Sequence, residues 1–193
     1  VFLLSVTNDT LCASEIVSNA SKEISPSEEI VIVWSEVMFL TDDLSKCKGL
    51  NKLGLEPFDK NINSDYLLTK FNKSNLPIKE LLLDQSIIAG LGNIYANEVL
   101  FLSKINPFKK GKDITKNECD NIISSSKEIL TNAIIDGGTT IKSYTSSLGV
   151  TGHYQDKLYV HKRDNMNCKI CNSLILKDRI GGRSTYYCPN CQK

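Results

Sequence analysis

Long hydrophobic runs are missing: nowhere in the 193 residues do apolar side chains continue for the roughly 18 positions that a membrane-spanning helix needs. The opening "VFLLSVTNDT" has neither the basic flank nor the apolar length of a signal peptide, so a soluble, cytoplasmic protein is the expectation. Internal repeats and low-complexity tracts are also absent, which leaves no basis for a solenoid or a long disordered tail. Histidine is scarce. The two present, His153 and His161, have no evident carboxylate partner, and surface positions or phosphate contacts are expected of them rather than acid–base catalysis. With 41% hydrophobic residues, a chain of this length can still bury a core, and one or two small globular domains are expected.

Net charge is only +1, yet it is unevenly spread. Residues 1–50 carry three lysines against eight acids, whereas residues 151–193 carry eight basic residues against three acids. A polyanion, if one binds, binds at the basic C-terminal end.

Four of the seven cysteines sit together as Cys168-x2-Cys171, sixteen intervening residues, then Cys188-x2-Cys191. That is the spacing of a four-cysteine zinc ribbon, in which two thiolate knuckles brought together by a hairpin complete a tetrahedron. The intervening sequence suits a hairpin: "SLILKDRI" alternates, Gly181-Gly182 allows positive φ, and "RSTYYC" returns. Two disulfides in a secreted protein, or a rubredoxin-like iron site, could use the same residues; the missing signal peptide argues against the first. Cys12, Cys47 and Cys119 show no ligand spacing and read as small buried residues.

Residues 63–136 read as mostly helical. Asn63 or Ser64 offers an N-cap to "DYLLTKF", and "LPIKELLLDQ" places a proline in a first turn. "NIYANEVLFLSKI" carries apolar residues at Ile94, Tyr95, Val99, Leu100 and Leu102 and stops before Pro107. In "TKNECDNIISSSKEILTNAIIDGG", Thr115 and Glu118 make a capping box, and Cys119, Ile122, Ile123, Ser126, Leu130, Ala133 and Ile134 trace one face up to Gly137. The first 50 residues differ, with a Ser/Glu-rich "SKEISPSEE" before a strand-like "IVIVW". A helix that starts at Gly92-Asn93, after a turn through Gly90, points unpaired N–H groups and a positive dipole end outward. A phosphate fits there; the alternative is that the glycines only let two helices turn and pack closely.

"LLLDQSIIAGLGNIYANEVLF", "DGGTTIKSY" and "CKICNSLILKDRIGGRSTYYCPNCQK" together resemble the Fpg/Nei family of bacterial-type DNA glycosylases, from "NKLGLEPF" at Asn51 to Lys193. The resemblance implies an α+β protein: a helix-two-turn-helix domain over 51–150, a zinc finger with one structural Zn2+ over 151–193, and a remnant of a β-rich domain over 1–50. It implies base excision repair of oxidised purines such as 8-oxoguanine and formamidopyrimidine, by DNA glycosylase and AP lyase activity on double-stranded DNA, by a monomer at the nucleoid. Asn93, with Gly92 before it, resembles the asparagine that holds a phosphate of the damaged strand. Lys79 resembles a lysine near the extruded nucleotide, and Lys73 lies one place from another DNA-contacting lysine. Arg183 resembles the zinc-finger arginine that grips phosphates beside the lesion and donates the proton of δ-elimination. Residues 143–155 take the place of the loop over the flipped base.

The sequence departs from that pattern at its start. Members begin with Met-Pro-Glu, whose proline amine attacks the sugar, but here Val1-Phe2-Leu3 stands instead. Most of the N-terminal β-sandwich and its lysine are also missing, and Trp34 in "IVIVWSEV" falls near the wedge aromatic's position, where a buried strand tryptophan is the plainer expectation. The alternative function is therefore a catalytically silent DNA-binding protein that retains only the two gripping modules. A zinc ribbon of a transcription or RNA factor would leave the Gly-Asn turn unexplained.

Overall fold

The computed structural model describes residues 52–136, 138 and 154–193, together with the backbone of three strands among the first 50. Cys12, Cys47, His153, Gly137 and nearly all of the 143–155 loop lie outside the described residues, as does the side chain of Trp34. "IVIVW" forms β2 (Ile30–Trp34), parallel to β1 (Phe2–Val6) and antiparallel to β3 (Val37–Thr41), in the order β1-β2-β3.

The helices follow their local signals closely. Of the two candidate caps for α1 (Ser64–Phe71), Asn63 is the one used: its Oδ1 accepts from the Tyr66 N–H at 2.9 Å. α2 (Ile78–Leu83) begins one residue later than the proline signal places it, with Pro77 as the N-cap, because the Ile78 N–H donates to Lys109 O at 2.7 Å and ties the helix start to the chain before α4. α3 (Asn93–Leu102) is capped by Gly92 and ends ahead of Pro107, where Lys104 turns left-handed with φ 58°. α4 (Lys116–Ile135) starts with the full Thr115–Glu118 capping box, whose carboxylate also accepts from Lys109 at 2.7 Å. On its inner face Ile129 replaces the expected Ile134, which is 48% exposed; Ile122, Ser126, Ile129 and Ala133 fit the 3.6-residue period better.

Two apolar clusters meet along α3. The larger packs Leu67, Phe71, Ile78, Leu82, Leu100 and Ile122 between the helices. The smaller gathers Phe101, Val160, Ile175 and Tyr186 around Cys168 and Cys188. Every residue of α3 from Ile94 to Phe101 is buried, as expected of a helix covered on all sides. The C-terminal hairpin pairs β4 (Leu176–Ile180) with β5 (Arg183–Tyr187) through Gly181 and Gly182, at φ 55° and 76°, the two positive-φ positions of a type I′ turn. Gln192 fastens the chain end: its Nε2 donates to Ile105 O at 3.0 Å and its Oε1 accepts from the Cys188 N–H at 2.8 Å. The protein is thus α+β, with a helical body and a small hairpin module. No helix among the described residues is long and apolar enough to cross a membrane.

Candidate functional site

The four expected cysteine ligands converge. All four Sγ atoms lie within 4.8 Å of one another, with Cys171–Cys188 at 3.4 Å and Cys168–Cys191 at 3.9 Å. A tetrahedron with metal–sulfur bonds of about 2.3 Å has sulfur–sulfur edges of about 3.8 Å, so the set fits zinc. Hydrogen bonding by Ser173 brings the Cys171 thiol down to about 5, whereas burial and the neighbouring sulfurs push Cys191 up. Four such sulfurs side by side are a donor set for one soft divalent cation, which keeps all of them deprotonated.

α3 joins this module to the helical body. Glu98 is fully buried, and its carboxylate accepts three successive N–H groups, from Tyr159 at 2.6 Å, Val160 at 3.0 Å and His161 at 2.8 Å. Burial pushes its pKa up while those three donors pull it down, and burial prevails. One residue earlier, Asn97 Nδ2 donates to Asn93 O at 2.9 Å while its Oδ1 faces the Tyr186 N–H at 3.4 Å. The second Nδ2 proton therefore points at His161 Nδ1, 2.9 Å away. Nδ1 is the acceptor, so the neutral ring carries its proton on Nε2. Burial, followed by the charges of Lys162 and Lys79, lowers the His161 pKa to about 4. Of the two places expected for His161, the surface is not the one it takes, because Asn97 and the edge of Tyr186 enclose its ring; it lines a cavity instead.

Above these residues opens a cavity of about 330 Å³, lined by Asn93, His161, Lys162, Arg183, Ser184 and Tyr186. No acidic residue lines it. The α3 N-terminus enters without a side-chain cap and without an acid in its first turn, so its first N–H groups and positive dipole end are unopposed. Asn93 Oδ1 is buried without a partner, so the fold leaves this acceptor unused. Arg183 follows the Gly-Gly turn and is exposed; Lys162 holds the left-handed φ of 57°, uncommon for a lysine. The arrangement can receive an anion of phosphate size.

Of the residues expected to act together, the cavity brings Asn93 and Arg183 to one place, with Gly92 behind Asn93 as the helix cap. Lys73 stands apart, exposed beyond the end of α1. Lys79 is beneath rather than in the cavity: fully buried, its Nζ donates to Ser184 O at 2.7 Å and Thr185 Oγ1 at 2.9 Å. Burial and then Arg183 lower its pKa to about 7. Lys162, Ser184 and Tyr186 had no motif to mark them; they reach the cavity only because Glu98 and the hairpin place them there.

Residues 53–145 match the formamidopyrimidine-DNA glycosylase H2TH domain, and residues 168–193 match the zinc finger found in FPG and IleRS. The formamidopyrimidine-DNA glycosylase of Oceanobacillus iheyensis is 43% identical over 145 residues, 75% of this chain and 52% of that protein. That of Prochlorococcus marinus is 44% identical over 160 residues, 83% and 56% of the two chains. A Lactococcus lactis Fpg in complex with an abasic site containing DNA superposes with a TM-score of 0.73 at 37% identity, covering 81% of this chain and 57% of that one. The chain spans about half the length of the curated relatives it matches. The four cysteines form the site of one structural zinc ion.

Proposed function

Because this chain belongs to the Fpg/Nei family, through that family's H2TH domain and zinc finger, we propose that it grips the damaged strand of duplex DNA in base excision repair of oxidised purines. The observation that carries this is the acid-free cavity, in which the open N-terminus of α3 and Arg183 face one anion-sized space. A phosphodiester there takes the first-turn N–H groups, the Asn93 amide and the forked guanidinium of Arg183, with Lys162 and the His161 Nε2–H at its border. These contacts orient the strand and carry no sequence information. Zinc, when bound, holds β4 and β5 in register and so fixes the stem from which Arg183 projects.

The activity served is that of a DNA glycosylase and AP lyase on oxidised bases such as 8-oxoguanine and formamidopyrimidine and on abasic sites. In strand cleavage Arg183, already on a phosphate, gives the proton of the second elimination. Residues 51–150 supply the helix-two-turn-helix half of the grip and 151–193 the zinc-finger half, acting as a monomer on nucleoid DNA. The test is fluorescence anisotropy of the 193-residue chain, loaded with zinc, on a labelled duplex bearing an abasic analogue, against undamaged duplex. Tighter binding to the abasic duplex, weakening steeply with salt, is expected; equal affinity for both would sink lesion recognition. Borohydride trapping on a true abasic duplex then reads out the lyase step.

A further inference from the structure

The side chain of Lys79 is read differently by its surroundings than by its motif. It is fully buried, two of its three N–H donors are spent on Ser184 O and Thr185 Oγ1, and no acid pairs with it among the described residues. Those partners lie 105 and 106 positions away in sequence and directly follow Arg183. Thr185 Oγ1 in turn donates to the Arg183 carbonyl at 3.4 Å, so a short chain of hydrogen bonds runs from the Lys79 ammonium to the arginine's own backbone. The next residue of α2, Glu80, also stands against this turn: a Cβ on Gly181 would lie 3.3 Å from its Cδ. The first turn of α2 therefore holds residues 181, 184 and 185, on both sides of the arginine.

We propose that Lys79 is a positioning residue for Arg183, an internal strut that fixes the hairpin turn so that the guanidinium stands over the cavity. The inference rests on the phosphate-gripping role given to Arg183 above. A hairpin tip is otherwise free to tilt about its stem, and an arginine must be held in place for its fork to meet a phosphate. A carbonyl and a hydroxyl accept more strongly from an ammonium than from a neutral donor, which accounts for a lysine where a buried apolar residue would pack with less desolvation. Lys79 does not reach DNA itself, since its Nζ is enclosed and already committed.

The test is a double-mutant cycle on the zinc-loaded chain, reading the dissociation constant for an abasic-analogue duplex at several salt concentrations. Arg183→Ala alone is expected to weaken binding about tenfold and to lower the salt slope by about one. Lys79→Met should weaken it to a similar degree, with zinc content unchanged. In the Arg183→Ala background, Lys79→Met should then add nothing and leave the slope as it is. Additive losses, or a further fall in slope in that background, would show Lys79 contacting DNA by itself and overturn the inference. Wild-type binding by Lys79→Met overturns it too, while leaving the role of Arg183 standing. If Arg183→Ala itself has no effect, the phosphate-gripping reading fails and the inference goes with it. Should Lys79→Met not fold, Thr185→Val cuts the hydroxyl link at nearly constant shape, and the same absence of any added loss in the Arg183→Ala background is required of it.

Discussion

At residue scale the hairpin tip shows how a backbone angle serves a side chain. Gly182 has φ 76° and open space where a Cβ would stand, so Gly182→Ala isolates the cost of left-handed backbone in an L-residue. About 1 kcal/mol is expected, seen as roughly fivefold faster hydrogen exchange of the β5 amides, and Gly182→Asn should cost less. Gly181→Ala should cost more, since φ is also positive there and the new methyl meets Glu80. Asn93 poses a different test. Its Oδ1 is buried without a partner, so Asn93→Ala should leave stability within about 0.5 kcal/mol of the parent while weakening duplex binding. The loss should be equal for abasic and oxidised-base duplexes, because a phosphate contact is blind to the base; a loss confined to one lesion would contradict the phosphate role.

At the scale of elements, α3 does most of the joining, and Glu98 is its means. Removing the carboxylate leaves three adjacent N–H groups buried without an acceptor, so Glu98→Ala should lower the unfolding free energy by about 3–5 kcal/mol, measured by urea denaturation. None of this shows in "NIYANEVLF", where Glu98 reads as one more polar helix residue, because its partners come 61 to 63 positions later. The capping box of α4 was legible since Thr115 and Glu118 are three residues apart, and the cysteine knuckles since each pair is. What sequence conceals is long-range pairing: nothing in "PIKELLLD" shows that Lys79 Nζ donates to Ser184 O and Thr185 Oγ1. That pairing also gives α2 a pH signature. Burial lowers the Lys79 pKa to about 7 in the free chain, and because its protonated form is the one that holds Arg183 over the cavity, a phosphodiester gripped by Arg183 keeps it protonated to higher pH. Below about 7 both states keep the proton and affinity is flat; above it, binding must take up a proton, so affinity falls as pH rises. His161, lowered to about 4, stays neutral over that range, so the step belongs to Lys79. Anisotropy from pH 6 to 8.5 should show it in the parent and lose it in Lys79→Met.

On the scale of the whole molecule, two cores of unequal self-sufficiency share one helix. The helical cluster draws on α1 to α4 with Tyr154 and Leu158, and none of its buried members is a zinc ligand. The hairpin cluster includes Cys168 and Cys188 among its six buried residues and has no comparable apolar mass, so its folding energy comes chiefly from the metal. Cys188→Ala, or chelation, should therefore release the one zinc ion and unfold the hairpin while most of the helical circular dichroism remains. Binding to the abasic duplex should be lost to the extent that Arg183 is freed from its stem, even though the α3 N-terminus is still present. The boundary between the two cores is where the outcome is most informative. Glu98 would lose its donors if 159–161 came away, and a buried carboxylate with no partner destabilises α3 from within. Zinc loss should accordingly lower the helical melting temperature by several degrees in the parent, but much less in Glu98→Gln, whose neutral amide tolerates the loss of its donors. Equal shifts in the two chains would show that the metal's influence reaches the helices by some route other than Glu98.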